Sequence, residues 1–115
     1  MLSMKITSLK TIPEVETSHN KDIKKKVMIG KGAMPLVTQI AQVKFLPGQV
    51  AEKHTHDDMF ETFYIEQGEG IVAIDDTNVA LEKGMCVTVE PGEAHEVKNT
   101  GKVELVVLVF GLKNP

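Results

Sequence analysis

A chain of 115 residues can bury one hydrophobic core but is too short for two. Apolar residues form 42% and charged residues 25% of it, which are the proportions of an ordinary globular domain. A formal net charge of −3 provides no basic surface for nucleic acid and no reason to expect an anionic membrane partner. We therefore expect neither a nucleic acid nor a membrane as a partner.

Two further features bear on the compartment. The sequence contains no apolar run of bilayer-spanning length, and its N-terminus lacks the core of a signal peptide. Its single cysteine, Cys86, excludes an intrachain disulfide, as is typical of proteins in a reducing environment. We expect a cytoplasmic protein.

The N-terminal part is mixed in composition and includes Pro13 and His19. We interpret residues 1–22 as an arm with at most one strand, Met4–Leu9, which packing on a partner subunit would order. A single domain then covers residues 23–115. The lysines at positions 24–26 near its start are interpreted as a solvated strand edge that discourages edge-to-edge pairing.

Short runs of β-branched and apolar residues, separated by Gly, Pro, Asp and Asn, follow one another along the rest of the chain. They predict strands over Val27–Ile29, Leu36–Leu46, Val50–His56, Glu61–Gln67, Ile71–Ile74, Val79–Glu82, Met85–Val89, His95–Asn99 and Val103–Phe110. No segment shows a helical period over several turns. The pattern predicts an all-β barrel or sandwich, whose closed interior collects the inward-pointing side chains.

Two histidines on one predicted strand indicate a metal site. Alternate side chains of a strand share a face, so His54 and His56 project the same way. Glu61 opens the next strand and returns a carboxylate towards them, and His95 is the candidate fourth ligand. Three imidazoles and a carboxylate suit a divalent transition metal ion, and a higher coordination number would leave positions open for substrate, water or oxygen.

The spacing of these residues resembles the two signatures of the cupin superfamily. The fixed positions of the first signature are occupied by Gly48, His54, His56, Glu61 and Gly68. Those of the second are occupied by Gly84, Pro91, Gly92, His95 and Asn99, with Glu90 where the pattern usually has proline. The short segment between the signatures is similar to that of small, single-domain microbial cupins of the conserved-barrel type.

This resemblance implies a double-stranded β-helix, or jelly-roll, with one divalent transition metal ion: iron, manganese, nickel, copper, zinc or cobalt. It implies that His54, His56, Glu61 and His95 are the ligands. Cupins include dioxygenases, isomerases, epimerases, lyases, decarboxylases and non-enzymatic binders, so the resemblance leaves the reaction open. Glu90 would make the loop before His95 less rigid, although the following proline still favours an extended entry.

Other side chains near the signatures have competing interpretations. Cys86 is a candidate nucleophile or soft ligand, but an isolated thiol on a strand is usually a small buried hydrophobe. Glu52 shares the parity of the two histidines and is a candidate base, but its nearness to a Pro-Gly turn favours a solvent-facing rim. Tyr64 has the opposite parity to Glu61, which disfavours an inward catalytic phenol.

The segment between the two predicted strands of the first signature has a less definite role. Asp57 and Asp58 are interpreted as a solvated turn. Met59 and Phe60 either line the mouth of the pocket or cap the barrel. His19 is assigned to the arm and receives no role at the site.

All thirteen positively charged residues are lysine, so no arginine can offer a bidentate fork to a carboxylate or phosphate. This disfavours sugar phosphates, nucleotide sugars and strongly anionic keto acids. It favours a small, fairly apolar substrate that chelates the ion through oxygen atoms. We therefore expect a metalloenzyme of the dioxygenase type, in which Glu61 can also leave the ion and act as a catalytic base.

Two alternatives stay open. Within the same class, the protein would be a metal-dependent isomerase or lyase. From a different class, it would be a ligand-binding or metal-binding module without turnover. A small barrel with a loose arm and exposed edges is readily completed by a two-fold partner, so we also expect a homodimer.

Overall fold

The computed structural model describes residues 4–115, and within that range the regular elements are all β-strands. They are β1 (Val15–Glu16), β2 (Lys24–Ile29), β3 (Val37–Phe45), β4 (Val50–His54), β5 (Met59–Gln67), β6 (Glu69–Ile74), β7 (Thr77–Glu82), β8 (Cys86–Val89), β9 (His95–Lys98) and β10 (Leu105–Lys113). The all-β prediction is confirmed. Positions 1–3 of the predicted arm lie outside the described residues. Nowhere in the described chain is there an apolar helix of bilayer-crossing length.

The strands form two antiparallel sheets. A six-stranded sheet has the order β1-β2-β3-β10-β5-β8, and a four-stranded sheet has the order β4-β9-β6-β7. Strands that are neighbours in the chain, such as β4 and β5, lie in different sheets, so the chain crosses repeatedly from one layer to the other. The result is a jelly-roll, as predicted.

Alternation along the strands explains what fills the interior. In β5, Phe63 and Ile65 are buried, while Tyr64 between them points outward. The two sheets bury their inner faces against each other in one core, made of Ile23, Val43, Phe45, Phe63, Ile65, Val72, Leu81, Val89, Val97, Leu105, Val107 and Val109. Part of this apolar core also borders the polar cluster described below.

Gly68 connects the two sheets at the junction of β5 and β6. Its φ of 84° lies in the left-handed region, which glycine adopts without a steric penalty. A Cβ atom at this position would run into the backbone carbonyl oxygen of Glu104. The tight transfer from one sheet to the other therefore depends on the absence of a side chain.

The strand ends differ from the predictions around the first signature. β4 ends at His54 instead of His56, because the chain leaves the sheet there to form a loop at the end of the barrel. β5 begins at Met59, and Met59 and Phe60 pair with the C-terminal end of β10. These two residues thus belong to a strand and not to a turn, since β10 extends beyond its predicted end and offers them a partner.

In the described part of the arm, Met4–Leu9 forms no strand. Met4 and Ile6 are 65% and 74% exposed, so no surface stabilises an extended conformation there. Strand pairing in the arm occurs instead in β1, which pairs with the first residues of β2. Because β2 pairs with β1 at Lys24 and Lys25 and with β3 on its other side, these two lysines lie inside a sheet, and their interpretation as its edge is wrong. The register gives Lys26 a partner in β3, Gln42. The packing of the arm on a partner and the homodimer stay predictions.

Candidate metal centre

Two of the predicted ligands lie on neighbouring strands. His54 ends β4 and His95 begins β9, and the two residues are register partners in the four-stranded sheet. Their ring centroids are 4.1 Å apart. His95 is 1% exposed, whereas His54 lies half-buried closer to the opening. The register of this sheet therefore brings together two imidazoles that are far apart in the sequence.

Both rings are oriented by the same kind of backbone contact. His54 Nδ1 lies 2.8 Å from the carbonyl oxygen of Glu52, and His95 Nδ1 lies 3.1 Å from that of Glu93. A carbonyl oxygen can only accept, so each Nδ1 carries a hydrogen and donates it. In the neutral ring, Nε2 then keeps its lone pair and faces the cluster, which is the arrangement that metal-binding histidines use.

Glu61 reaches the cluster from the opposite sheet. It lies near the start of β5 with its side chain pointing inward, and it is only 8% exposed. Its Oε1 atom lies 3.1 Å from His95 Nε2 and 3.8 Å from His56 Nε2. The carboxylate thus links residues of the two layers at the end of the barrel.

The loops around the cluster are held by backbone hydrogen bonds. The amide of Gly92 donates to the carbonyl oxygen of His56 at 2.8 Å. This bond holds the backbone of His56, which lies in the loop that follows β4. Asp75 holds the segment before His95 from the other side. Its amide donates to the carbonyl oxygen of Ala94 at 2.8 Å, and its Oδ1 accepts from the amide of Ala94 at 3.1 Å. Loops as well as strands therefore position the imidazoles.

The donor atoms of the four residues are close enough to share an ion. One ligand atom from each of His54, His56, Glu61 and His95 lies within 4.8 Å of all the others. Donors around one ion at about 2.0–2.1 Å lie at most about 4.2 Å apart, so side-chain shifts of less than about 1 Å suffice. Three nitrogens and one carboxylate oxygen fit a divalent transition metal ion.

The electrostatics of the cluster favour an ion pair when no cation is bound. Burial opposes ionisation of Glu61, but the hydrogen bond with His95 and the charges of the neighbouring imidazoles outweigh it and lower the pKa of Glu61. Burial also opposes protonation of His95, yet the hydrogen bond to Glu61 outweighs it and raises the pKa of His95. For His54, burial lowers the pKa, which keeps this ring neutral. A cation would therefore take the place of the proton on His95 Nε2.

Three residues of the cluster, His54, His56 and Glu61, line a cavity of about 300 Å³. The walls of this cavity are mainly apolar and are formed by Ile23, Val43, Phe45, Ala51, Met59, Phe63, Val97, Val107 and Val109. Polar side chains lie around the remainder, namely Thr17, Ser18, His19, Lys25, Thr38 and Gln39, together with His54, His56 and Glu61. A small molecule in this space would contact the metal-ligand candidates directly.

Comparison with known proteins identifies the family. The profile described as Cupin domain matches residues 41–111, which is more than half of the chain and includes all four ligand candidates. The chain belongs to the cupin family. An oxalate-binding protein of Thermotoga maritima is 32% identical to it over 95 residues, which cover 83% of this chain and 73% of the relative.

Solved structures show the same fold. A predicted oxalate decarboxylase from Thermotoga maritima superimposes on this cupin with a TM-score of 0.88 at 24% identity, covering 95% of this chain and 99% of the other. The polyketide cyclase RemF from Streptomyces resistomycificus gives a TM-score of 0.80 at 15% identity, covering 97% and 82% of the two chains. At such identities the likeness shows the fold alone.

His19, which lies outside both signatures and is assigned by the sequence only to the arm, lies at the site of this cupin. Its ring stacks on that of His54 with a centroid distance of 3.6 Å and an interplanar angle of 16°. Three hydrogen bonds hold the segment that contains His19. Thr17 Oγ1 donates to the carbonyl oxygen of Asn20 at 2.7 Å, and the Thr17 amide donates to the carbonyl oxygen of Ile23 at 3.1 Å. The side-chain amide of Asn20 donates to the carbonyl oxygen of Val50 at 3.0 Å. No spacing motif includes a residue of the arm, so the sequence carries no signal for this contact.

The other candidate residues near the signatures differ in whether they face the cavity or the solvent. Glu52 and Tyr64 are exposed, as predicted, so neither side chain points into the cavity. The expected burial of Cys86 is wrong, because its side chain lies on the exposed face of β8 while Val87 and Val89 take the inward positions. Met59 lines the cavity, in agreement with one of its two interpretations.

The departure from the family pattern at Glu90 has a structural use. Its backbone amide donates to Glu93 Oε1 at 2.8 Å, and the Glu93 amide donates back to the carbonyl oxygen of Glu90 at 3.1 Å. A proline at position 90 has no N–H and could not make the first of these bonds. Glu90 therefore closes the turn that leads to His95 instead of loosening it.

Proposed function

We propose that this cupin binds one divalent transition metal ion through His54, His56, Glu61 and His95 and acts as an oxygenase on a small chelating molecule. The observation that carries this proposal is the convergence of four donor atoms within 4.8 Å beside a cavity that three of these residues line. When bound, such an ion supplies Lewis acidity and a template for the oxygen atoms of the substrate.

Residues of the chain would exclude water, accept a proton and orient the imidazoles. Apolar walls, of which Val43, Phe63 and Val109 are examples, exclude water from the bound molecule and strengthen the electrostatic interactions inside. Glu61 is the carboxylate of the cluster, and when it leaves the ion it is positioned to accept a proton from a substrate hydroxyl. The carbonyl groups of Glu52 and Glu93 hold the orientation of the imidazoles throughout.

Elemental analysis and oxygen uptake test this proposal. We expect about one equivalent of transition metal in the wild-type protein and almost none in His56→Ala, because the variant removes a donor. Glu52→Ala is the matched control, since its exposed carboxylate lies outside the cavity while its carbonyl group remains. Full metal retention in His56→Ala would remove this residue from the ligand set.

Turnover is tested with the iron-loaded protein and a panel of catechols and enols. We expect oxygen consumption with at least one compound in the wild-type protein and none in His56→Ala. Conversion of a compound without oxygen uptake would instead support a metal-dependent isomerase or lyase.

A second candidate function is binding without turnover. The relative described as an oxalate-binding protein supports it, because it shares 32% identity over most of this chain. A cavity that also contains a lysine, Lys25, is able to accept a carboxylate. Saturable binding of oxalate by the metal-loaded protein, together with no conversion on the whole panel, would favour this function over the oxygenase.

A further inference from the structure

One residue of the lysine triplet faces the cavity. Lys25 is the register partner of Val43 in β3, whose side chain is 7% exposed and lines the cavity. Register partners on adjacent strands share a face of the sheet, so the side chain of Lys25 starts on the inner face. Lys24 and Lys26 have the opposite parity and start on the outer face. The middle lysine is therefore distinguished from its neighbours by the strand register.

Gln39 holds the ammonium group of Lys25. Lys25 Nζ donates to Gln39 Oε1 at 2.9 Å, and both side chains line the cavity. An ammonium group has three donors, and this bond uses only one of them. In residues 4–115 the ion pairs join Glu61 to His56 and His95, so no carboxylate of the described chain pairs with Lys25.

The sheet register places Gln39, which holds this ammonium group, two strands away from Glu61 of the metal-ligand cluster. Gln39 is the partner of Gly111 in β10, and Gly111 is the partner of Glu61 in β5. Two strand spacings separate the Cα atoms of Gln39 and Glu61, which is about 10 Å. Gly111 itself places no side chain between them, and the space beside it is taken by Thr38 and Met59, which a Cβ atom there would run into and which both line the cavity.

We propose that Lys25, held by Gln39, determines the specificity of this cavity by selecting a small molecule that carries one carboxylate opposite its metal-chelating end. This inference rests on the proposed metal centre, because the chelating end requires an ion at Glu61 and the histidines. A carboxylate would accept a charge-assisted hydrogen bond from Lys25 Nζ, which is stronger than a hydrogen bond between neutral groups. The ligand class is therefore a chelator with a single anionic group, no longer than about one substituted ring.

A matched pair of ligands tests the proposal. Protocatechuate is a catechol with one ring carboxylate, and its primary amide has nearly the same shape without the charge. Calorimetric titration of the zinc-loaded protein measures both affinities, and zinc keeps the site redox-silent. We expect the wild-type protein to bind protocatechuate at least about tenfold more tightly than the amide, as one hydrogen bond to a charged group provides.

Variants of the lysines complete the experiment. Lys25→Met and Lys25→Gln should each abolish the preference for the carboxylate, and Lys25→Arg should retain it, while zinc stoichiometry stays unchanged in all three. Lys24→Met is the control and should retain the preference, because that lysine lies on the outer face and its Nζ donates to the carbonyl oxygen of Lys21 at 2.8 Å.

The outcomes separate this inference from the proposed metal centre. Zinc binding by the wild-type protein with equal affinity for the two compounds, or with affinity for neither, overturns the role of Lys25 and leaves the metal centre intact. A preference that persists in Lys25→Met and Lys25→Gln overturns it as well. If the wild-type protein binds no zinc, the metal centre and the inference that rests on it both fail.

Discussion

The ring of His19 lies flat against that of His54, one of the proposed metal ligands, so we expect it to help orient that ligand. Groups that orient a ligand contribute about 10-fold or more to metal affinity. We expect His19→Ala to weaken metal affinity by about tenfold and His19→Phe to retain most of it, since phenylalanine keeps a stacking ring. Competition with a chelator measures both affinities. An equal loss in the two variants would show that His19 itself coordinates the ion.

At the scale of single residues, local rules predicted what depends on strand parity and motif spacing. They placed Glu61 inside and Tyr64 outside, and the histidines predicted as ligands do converge with Glu61. They could not place Lys25 or His19, because those positions depend on which strands pair and on how the arm returns to the barrel. Both are tertiary contacts between distant segments, and no local pattern encodes them.

The junction of β5 and β6 is the place where one substitution should disturb an entire element. Gly68→Ala combines a left-handed φ of 84° with a collision against the carbonyl group of Glu104. We expect a loss of at least about 2 kcal/mol in the free energy of unfolding, because the strained backbone and the close contact both oppose a side chain. Urea titration followed by far-UV circular dichroism measures this loss. Tryptophan fluorescence is not an option, because the chain has no tryptophan.

Gly30→Ala provides the control for that experiment. A Cβ atom at Gly30 would meet nothing within 4 Å. We expect its stability to lie within about 1 kcal/mol of the wild-type value. Equal effects of the two substitutions would show that the junction tolerates a side chain, contrary to the structure.

At the scale of elements, the sequence predicted the strands more reliably than their ends. Turn residues such as Gly48 and Gly84, both with positive φ, marked the connections correctly. The ends of β4 and β10 were misplaced, because the length of a strand depends on whether a neighbour continues to pair with it. β10 runs on to Lys113 since both β3 and β5 flank it, and that contact is a property of the whole sheet.

In the whole molecule, the contact of Glu61 with His95 ties the two sheets together and makes the stability of the metal-free protein depend on pH. The raised pKa of His95 stabilises the fold below its ordinary value of 6.5, and this contribution is lost as pH rises through the folded-state pKa. The lowered pKa of Glu61 stabilises the fold above its ordinary value of 4.5 and is lost as pH falls through the folded-state pKa. Both contributions are fully present between these two ordinary values.

A bound cation should extend that stability to higher pH. Coordination requires neutral imidazoles, so at lower pH protons compete with the metal for the three rings. We expect zinc to raise the Tm clearly at about pH 8 and to lose this effect as pH falls through the histidine range to about pH 5. Scanning calorimetry at fixed zinc concentration measures the difference.

Glu61→Gln should reduce the gain from zinc and flatten the pH dependence of the metal-free protein, because an amide neither binds the cation as strongly nor pairs with an imidazolium. A gain from zinc that is the same at every pH would show that the ion is held by groups other than these histidines.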